Sequence, residues 1–314
     1  MKIGLIGFGS IGQRHYQNFK KLRQNVVVLS KRKNVALNDI VDTWPAFAGR
    51  GPFEAIFITN ETFKHLPTIK KCLTLNPRAI FIEKPLSHNS KGLSALVRTL
   101  KRKKISTWVG YNWHFSKTLL KIKEILRRKK LGKIYYIRAS VGQDLREWRP
   151  GRDYSKIYSA KKTFGGGVLL DLVHDINYPA WLLDDVLIPR RSYIRKISNL
   201  KIDTEDLVEG VFEGRNSGVI VSAHLDYLRV PGKRTLEIAG SVGSLFWDSV
   251  RSEFVLEMPS GQIYKKIKEA RNEMYESEIK FFLARLKNGK YFSNIDEAVY
   301  DVKLIEYMKK HGSF

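Results

Sequence analysis

Three polar residues, Asp171, His174 and Asn177, recur at three-residue intervals inside an apolar stretch of the second half of the chain. If that stretch is a helix, the three side chains lie on one face, because residues three apart are neighbours on a helix surface. An imidazole with an ordinary pKa of about 6.5 can take or give a proton near neutral pH. The spacing indicates an acid–base site; the alternative is a buried histidine that only satisfies the core.

A charged pair, Glu83 and Lys84, follows the apolar residues 79–82 and precedes Pro85. The pattern predicts a buried parallel strand that ends at this pair, and open α/β sheets bind their ligands at the carboxyl ends of such strands. Proline restricts the backbone and can follow a cis bond, which would aim Lys84 reproducibly. Lys84 is therefore a candidate for contacting cofactor and substrate, and a plain polar turn is the alternative.

A short apolar run near the start of the chain leads into the sequence GFGSIG, and helical apolar spacing follows it. In a strand, turn and helix of this kind, Gly7 permits the tight turn and Gly9 lets the backbone approach a pyrophosphate. Gly12 lets the helix pack closely on the strand. The N–H groups of Ser10 and Ile11, at the start of the helix, would face the phosphates. The motif indicates a dinucleotide site, with an ordinary strand-to-helix turn as the alternative.

The second predicted strand, residues 26–29, is followed by Ser30, Lys31 and Arg32. In dinucleotide-binding proteins an acidic residue commonly binds the adenosine ribose at this position. A hydroxyl and two cations suit the 2′-phosphate of NADP, because a carboxylate would repel it. The sequence predicts NADP as the cofactor in preference to NAD, and a basic loop without a ligand is the alternative.

Three arginines, Arg146, Arg149 and Arg152, surround Trp148 in one predicted loop. Guanidinium groups bind phosphate or carboxylate through paired hydrogen bonds, and an indole can lie against a sugar ring. The loop predicts an anionic substrate. Alternatively, Trp148 packs on its own domain and the arginines are solvated.

The chain of 314 residues is strongly basic, with a formal net charge of +25. Its basic runs are scattered, which favours a solvated basic surface over a nucleic-acid-binding face. No apolar run approaches the roughly 18 residues of a membrane span, and the single cysteine, Cys72, fits a reducing compartment. We expect a cytoplasmic protein that binds small molecules, without nucleic acid, a membrane span or a metal site.

Strand and helix patterns alternate over the first part of the chain, and predicted strands then follow one another. Alternation predicts a parallel sheet with crossover helices, and consecutive strands predict a mostly antiparallel sheet. We therefore predict an α/β Rossmann domain at residues 1–118 and an α+β domain at residues 119–314, the latter built on an open, mostly antiparallel sheet. An open sheet without a second covering layer favours a homodimer or homotetramer.

Taken together, these motifs resemble those of the Gfo/Idh/MocA superfamily (glucose-fructose oxidoreductase, inositol dehydrogenase and rhizopine catabolism) over nearly the whole chain. The matching segments are GFGSIG, residues 59–65, Glu83-Lys84-Pro85, Gly110-Tyr111-Asn112, the segment around His174 and residues 240–248. The resemblance implies an N-terminal Rossmann domain, a C-terminal α/β domain with an open antiparallel sheet, and hydride transfer between a nicotinamide and a sugar or polyol. Residues 144–162 resemble members linked to bacterial surface-polysaccharide and sialic-acid-like sugar biosynthesis.

Catalytic roles follow from the resemblance by position. Lys84 resembles the family's catalytic lysine and His174 its catalytic histidine, with Asp171 as a third candidate. Two positions depart from the family pattern. Asp171 lies three residues before His174, where the family has four, and Asn177 stands where many members have aspartate.

The resemblance also implies binding residues beyond the glycine turn. The implied cofactor contacts are Thr59, Asn60, His65, Glu83 and Lys84. The implied substrate contacts, beside the arginine loop, are Lys84, Asn112, Asp171, His174 and Asn177.

The leading functional prediction is an NAD(P)-dependent sugar dehydrogenase or reductase. Its substrate would be an anionic sugar, namely a nucleotide sugar, a sugar phosphate or an acidic sugar, in surface-polysaccharide biosynthesis. His174 would move the hydroxyl proton, and Lys84 would stabilise the oxygen. The alternative is a non-catalytic NADP-binding regulatory or scaffold protein, because a fold does not establish a function.

Overall fold

The computed structural model describes residues 1–32 and 38–312, which form two compact units. Unit 1 comprises Met1–Asn112 and Asn272–Val302, and unit 2 comprises Trp113–Arg271 and the residues from Lys303 onward. The chain thus leaves unit 1 and returns to it near its C-terminal end.

Unit 1 is built on a six-stranded parallel sheet. Its strands are β1 (Lys2–Ile6), β2 (Asn25–Leu29), β3 (Ile40–Val41), β4 (Ala55–Ile58), β5 (Ala79–Glu83) and β6 (Ser106–Gly110). They lie in the order β3-β2-β1-β4-β5-β6, with parallel pairing throughout. Because parallel strands share a direction, their carboxyl ends meet at one edge and bring residues 7–12, 30–32, 59–60 and 83–85 to it.

α-Helices accompany both sheets. In chain order they are α1 (Ser10–Lys21), α2 (Trp44–Gly49), α3 (His65–Cys72), α4 (Leu93–Arg102), α5 (Lys117–Arg127), α6 (Val168–Asp171), α7 (His174–Leu183), α8 (Arg271–Asn288) and α9 (Ile295–His311). The start of α4 is marked by a glycine in a left-handed conformation. Gly92, with φ of 80°, is the residue before the helix, and Ser90 accepts the Leu93 N–H with its carbonyl oxygen at 3.1 Å.

Apolar side chains cover both faces of the unit 1 sheet. On one face Phe57 stacks on Phe81, with ring centroids 4.4 Å apart, and meets Phe19 and Phe282 edge-on at 4.7 and 5.0 Å. Phe282 lies on α8, so this C-terminal helix completes a core that begins with the first strands. Such full coverage is why the strands read as continuous apolar runs in the sequence.

Unit 2 is built on an eight-stranded sheet. Its strands are β7 (Ile134–Gly142), β8 (Leu187–Arg195), β9 (Leu207–Gly214), β10 (Ile220–Asp226), β11 (Lys233–Gly240), β12 (Gly243–Asp248), β13 (Glu253–Met258) and β14 (Gly261–Lys266). The order is β14-β13-β12-β11-β7-β10-β9-β8; β7 and β10 pair in parallel, and the other neighbours are antiparallel. The predicted fold class, a parallel Rossmann sheet followed by a mostly antiparallel sheet, is confirmed.

Two strands at the edge of this sheet, β13 and β14, are not predicted by the sequence pattern. Every residue of β14 is exposed, so it lacks the alternation of apolar and polar residues that marks a half-buried strand. Lys265 and Lys266 instead give it the polar character of a protected sheet edge.

The predicted helix around His174 is interrupted. α6 ends at Asp171, Leu172 and Val173 form a turn, and α7 begins at His174. The expectation that Asp171, His174 and Asn177 share one face of a continuous helix is therefore wrong. Apolar Leu172 and Val173 carry no helix-breaking signal, which is why the sequence pattern misses the turn.

Among the described residues, no helix has the length and apolar character needed to cross a bilayer.

Candidate active site

The glycine turn joins β1 to α1 and is held from two sides. Gly7 adopts φ of 97°, a left-handed conformation that favours glycine, and its N–H donates to the Leu29 carbonyl at 3.1 Å. The Thr59 hydroxyl donates to the Gly7 carbonyl at 2.9 Å. A Cβ on Gly12 would collide with that same carbonyl oxygen. These contacts fix the turn against the neighbouring strands β2 and β4.

Space for a ligand lies over Gly9. A Cβ built at Gly9 meets no atom within 4 Å, in contrast to Gly7 and Gly12. α1 has no side-chain cap and no acidic residue in its first turn. Its N-terminal N–H groups therefore point toward open space with the positive end of the helix dipole behind them, an arrangement that binds phosphate.

The segment after β2 is cationic beside the glycine turn. Lys31 and Arg32 are exposed, and the Arg32 N–H donates to the Ser30 hydroxyl at 3.3 Å. In the sequence the first acid after the strand is Asp39, and its carboxylate accepts from Tyr16 at 2.9 Å and from Lys20 at 3.1 Å. The positions next to the turn thus present two cations.

His65 ties together the loops that follow β4 and β5. Its Nε2 lies 3.0 Å from the Asn60 carbonyl oxygen and its Nδ1 lies 3.0 Å from the Pro85 carbonyl oxygen. The ring is 1% exposed, and burial lowers the pKa of His65. The ring thus holds the backbone beside Lys84, while the Asn60 amide donates to Thr68 at 2.8 Å.

Glu83, at the end of β5, contacts a histidine that sequence reasoning did not single out. Its Oε1 lies 2.5 Å from Nε2 of His15, which is fully buried on α1. Glu83 therefore links β5 to the helix that follows the glycine turn. Lys84 comes next and is half-buried, and the Lys84–Pro85 peptide bond is cis.

A second carboxyl group is buried near Glu83. Glu278 on α8 is 0% exposed and accepts from the Trp108 indole N–H at 3.1 Å. Burial, followed by the charge of Glu83, raises the pKa of Glu278 well above its ordinary value. Nearby, the buried Asn112 amide lies 4.0 Å from the sulfur of Met274. Helical spacing of Met274, Glu278 and Phe282 is the sequence signal that places Glu278 on an inward face.

In unit 2, Asp171 is 5% exposed and is surrounded by tyrosine hydroxyls. Tyr227 donates to its carboxylate at 2.6 Å, and Tyr158 also hydrogen-bonds to it. Burial, followed by the Asp171 charge, raises the pKa of both tyrosines well above the ordinary value. His174 is also buried, at the first position of α7. Neither tyrosine stands near Asp171 in the sequence, so spacing could not reveal them.

Two residues of the arginine loop contact the tyrosines that hydrogen-bond to Asp171, and the other two do not. The Trp148 ring meets the Tyr227 ring edge-on at 5.1 Å, and the Arg149 guanidinium lies over the Tyr158 ring at 5.4 Å from its centroid. Arg146 instead pairs with Asp144, at 2.9 and 3.0 Å from its Nε to the two carboxylate oxygens. Arg152 is exposed.

Asn177 is 2% exposed and binds a second histidine that the sequence did not indicate. Its amide oxygen lies 2.7 Å from Nε2 of His114, whose ring stacks on Trp181 at 4.6 Å. Burial lowers the pKa of His114 to about 3, so its imidazole is neutral and donates to Asn177. An asparagine suits a neutral donor, and the amide is committed to the interior of unit 2.

Two family models match the chain. Residues 1–111 match an oxidoreductase family with an NAD-binding Rossmann fold, and residues 119–246 match the GFO/IDH/MocA C-terminal domain. A curated relative, the Myo-inositol 2-dehydrogenase of Thermotoga maritima, is 24% identical in an alignment of length 313. The alignment covers 92% of this chain and 89% of the relative.

Solved structures share the fold of nearly the whole chain. Levoglucosan dehydrogenase in complex with NADH and levoglucosan has a TM-score of 0.85 at 17% identity and covers 99% of this chain and 96% of that chain. The super-repressor mutant of Gal80p from Saccharomyces cerevisiae has a TM-score of 0.82 at 15% identity and covers 99% of this chain and 95% of that chain. At these identities the likeness establishes the fold.

Proposed function

Because the chain belongs to the Gfo/Idh/MocA family of oxidoreductases, we propose that it is a nicotinamide-dependent dehydrogenase or reductase that acts on a sugar or a sugar derivative. The observation that carries this proposal is the open space over Gly9 at the uncapped start of α1. The names of the Myo-inositol 2-dehydrogenase relative and of the levoglucosan dehydrogenase structure support a polyol or sugar as the substrate class.

The residues of unit 1 fit a dinucleotide. The N–H groups of Ser10 and Ile11 would hold the pyrophosphate, with Thr59 keeping the glycine turn in place. Lys31 and Arg32 would bind a 2′-phosphate, which favours NADP over NAD. The bound nicotinamide supplies or accepts the hydride. His65 and Glu83 would act indirectly: His65 would hold the two loops beside the cofactor, and Glu83 would hold α1 through His15.

The proton and the developing charge would be handled by Lys84 and His174. In oxidation, the substrate hydroxyl gives its proton to the neutral His174 imidazole while its carbon loses hydride, and reduction reverses both transfers. The Lys84 ammonium would stabilise the negative charge on the substrate oxygen. Asp171, held by two tyrosine hydroxyls, would orient substrate or the histidine in unit 2.

An anionic sugar is the substrate that the arginine loop favours. Arg149 and Trp148 are the residues of that loop that reach the tyrosines around Asp171, so we assign them the contact with an anionic group and a ring. Arg146 serves the loop itself through Asp144. Nucleotide sugars, sugar phosphates and the acidic sugars of surface polysaccharides are the compounds to test first.

The second candidate is a regulatory protein that binds NADP without turnover. Asn177 favours it, because an amide bound to His114 cannot ionise at a position where many family members have aspartate. The repressor Gal80p has the same fold, so the fold is compatible with either function.

Steady-state hydride transfer, followed at the nicotinamide absorbance, separates the two candidates. NAD(H) and NADP(H) are each combined with neutral polyols, sugar phosphates, nucleotide sugars and acidic sugars. Turnover that is abolished in a Lys84→Ala/His174→Ala double variant supports the enzyme, and faster turnover of anionic compounds supports the anionic class. Cofactor binding without turnover of any compound favours the regulator.

A further inference from the structure

A cavity of about 440 Å³ opens at the edge of the unit 1 sheet opposite the glycine turn. It lies where β5 and β6 begin, and its walls come from the loop before β5, the loop between α4 and β6, and the segment between α8 and α9. We call it the amino-edge cavity. Its volume is within the range of about 300–1,000 Å³ that small-molecule sites occupy.

The walls of the amino-edge cavity are cationic. Arg78, Lys103, Lys104 and Lys290 line it, and none of the lining residues in the described chain is acidic. The Arg78 guanidinium is fixed in place, because Nη2 donates to the Leu286 carbonyl at 3.2 Å and Nη1 lies 3.7 Å from the Glu54 carboxylate. Lysine ammonium groups and a fixed guanidinium are the groups that bind phosphate oxygens.

An aromatic ring completes the wall. Tyr291 lines the cavity with 49% of its surface exposed, and it follows Lys290 directly. A half-exposed ring beside several cations suits a ligand that carries both a phosphate chain and a planar base. The residues that line the amino-edge cavity belong neither to the glycine turn nor to the arginine loop.

The position of this cavity separates it from the dinucleotide site. β5 runs from Ala79, beside the cavity, to Glu83, beside Lys84, and five residues of strand span about 17 Å. One cofactor pyrophosphate cannot occupy both ends of the sheet. We propose that the amino-edge cavity binds a nucleoside diphosphate or triphosphate at a second site in unit 1, independently of the proposed reaction.

Titration calorimetry on the full chain tests this proposal. ATP and inorganic tripolyphosphate are titrated into protein saturated with NADPH, so that the glycine turn is occupied. The test variant is Lys103→Ala/Lys104→Ala/Lys290→Ala, and the matched control Lys265→Ala/Lys266→Ala/Lys268→Ala removes three exposed cations elsewhere. Tyr291→Leu tests the ring.

The expected result is ATP binding in the presence of NADPH that weakens at least tenfold in the cavity variant and is unchanged in the control. Tyr291→Leu should weaken ATP and leave tripolyphosphate unaffected. No binding of ATP to the NADPH-saturated protein would overturn the site, and so would an equal ATP affinity of the Lys103→Ala/Lys104→Ala/Lys290→Ala variant and the native chain. ATP affinity equal to that of tripolyphosphate and insensitive to Tyr291→Leu would overturn the nucleoside assignment. Native thermal unfolding of each variant without ligand confirms that it is folded.

Discussion

Buried carboxyl groups are stabilised differently in the two units. In unit 1, Glu83 contacts the buried His15, and the neighbouring Glu278 has a raised pKa because it is buried beside that carboxyl. In unit 2, Asp171 accepts hydrogen bonds from two tyrosines whose own pKa values are raised. In unit 1 burial makes the Glu278 carboxyl hold its proton more tightly than an exposed carboxyl does, whereas the tyrosine donors of unit 2 keep their protons over the physiological range.

The two units thus contain two kinds of carboxyl site, which differ in how they respond to pH. Burial, followed by a neighbouring carboxylate, raises the pKa of a carboxyl group, so its contribution to stability changes with pH. A carboxylate held by hydroxyl groups keeps a fixed orientation over the same pH range. We therefore expect the loss of the Glu278 carboxyl to appear in stability, and the loss of a tyrosine donor to Asp171 to appear in turnover.

The largest expected effect comes from removing one chemical group from each unit. Lys84→Ala and His174→Ala should each lower kcat by about 10²–10⁴, because proton-transfer and charge-stabilising groups contribute that much. NADP(H) affinity should change little. The controls are the exposed residues Lys91→Ala and His311→Ala. Turnover is measured at the nicotinamide absorbance, and near-native turnover of the His174 variant would remove this residue from the mechanism.

The next effect concerns the cations after β2. Lys31→Ala/Arg32→Ala should weaken NADP(H) binding by roughly tenfold or more and leave NAD(H) nearly unaffected, because charge-assisted hydrogen bonds to the 2′-phosphate are lost. Fluorescence titration of both cofactors measures this, with Lys265→Ala/Lys266→Ala as the control. Equal losses for both cofactors would contradict the assignment.

A smaller effect is expected at the tyrosine shell of Asp171. Tyr227→Phe should lower kcat by about tenfold, since a hydrogen bond to a charged group contributes about 1.5–3 kcal/mol. Tyr135→Phe, on an exposed tyrosine, should have no effect. Asp171→Ala in the Tyr227→Phe background should add less than it does in the native chain. Additive losses would show that the two residues act separately.

The smallest effect is on the stability of unit 1. The folded pKa of Glu278 is above its unfolded value, so the folded state binds the extra proton and stability falls as pH rises above about 4.5. The slope is at most about 1.4 kcal/mol per pH unit. Relative to the native chain, Glu278→Gln should therefore stabilise the protein by an amount that grows as the pH rises above about 4.5. Urea unfolding at several pH values measures it, and an unchanged pH dependence would show that Glu278 does not titrate in this range.

Local signals in the sequence predict much of this molecule. The glycine turn and the strand before Glu83 follow from glycine spacing and apolar periodicity, which act over a few residues. The turn at Leu172 and Val173 cannot be predicted in this way, since both residues are compatible with a helix. The exposed strand β14 is missed for a different reason, because two exposed faces impose no alternation of apolar and polar residues.

The partners within the candidate site could not be predicted, because they come from distant parts of the chain. His15 meets Glu83 across 68 positions, and Tyr227 meets Asp171 across 56. His114 reaches Asn177 across 63 positions. Each pair forms where the topology brings two elements together, so no fixed spacing in the sequence records it.

The return of α8 to unit 1 has a consequence for biosynthesis. Phe57 and Phe81 rest against Phe282, so during translation the sheet of unit 1 lacks one of its covering helices until the strands of unit 2 and then α8 have been synthesised. Until then an aromatic face of the nascent sheet is open to chaperones and to other chains. A fragment that ends at residue 118 would keep that face exposed permanently, and its yield would depend on such helpers.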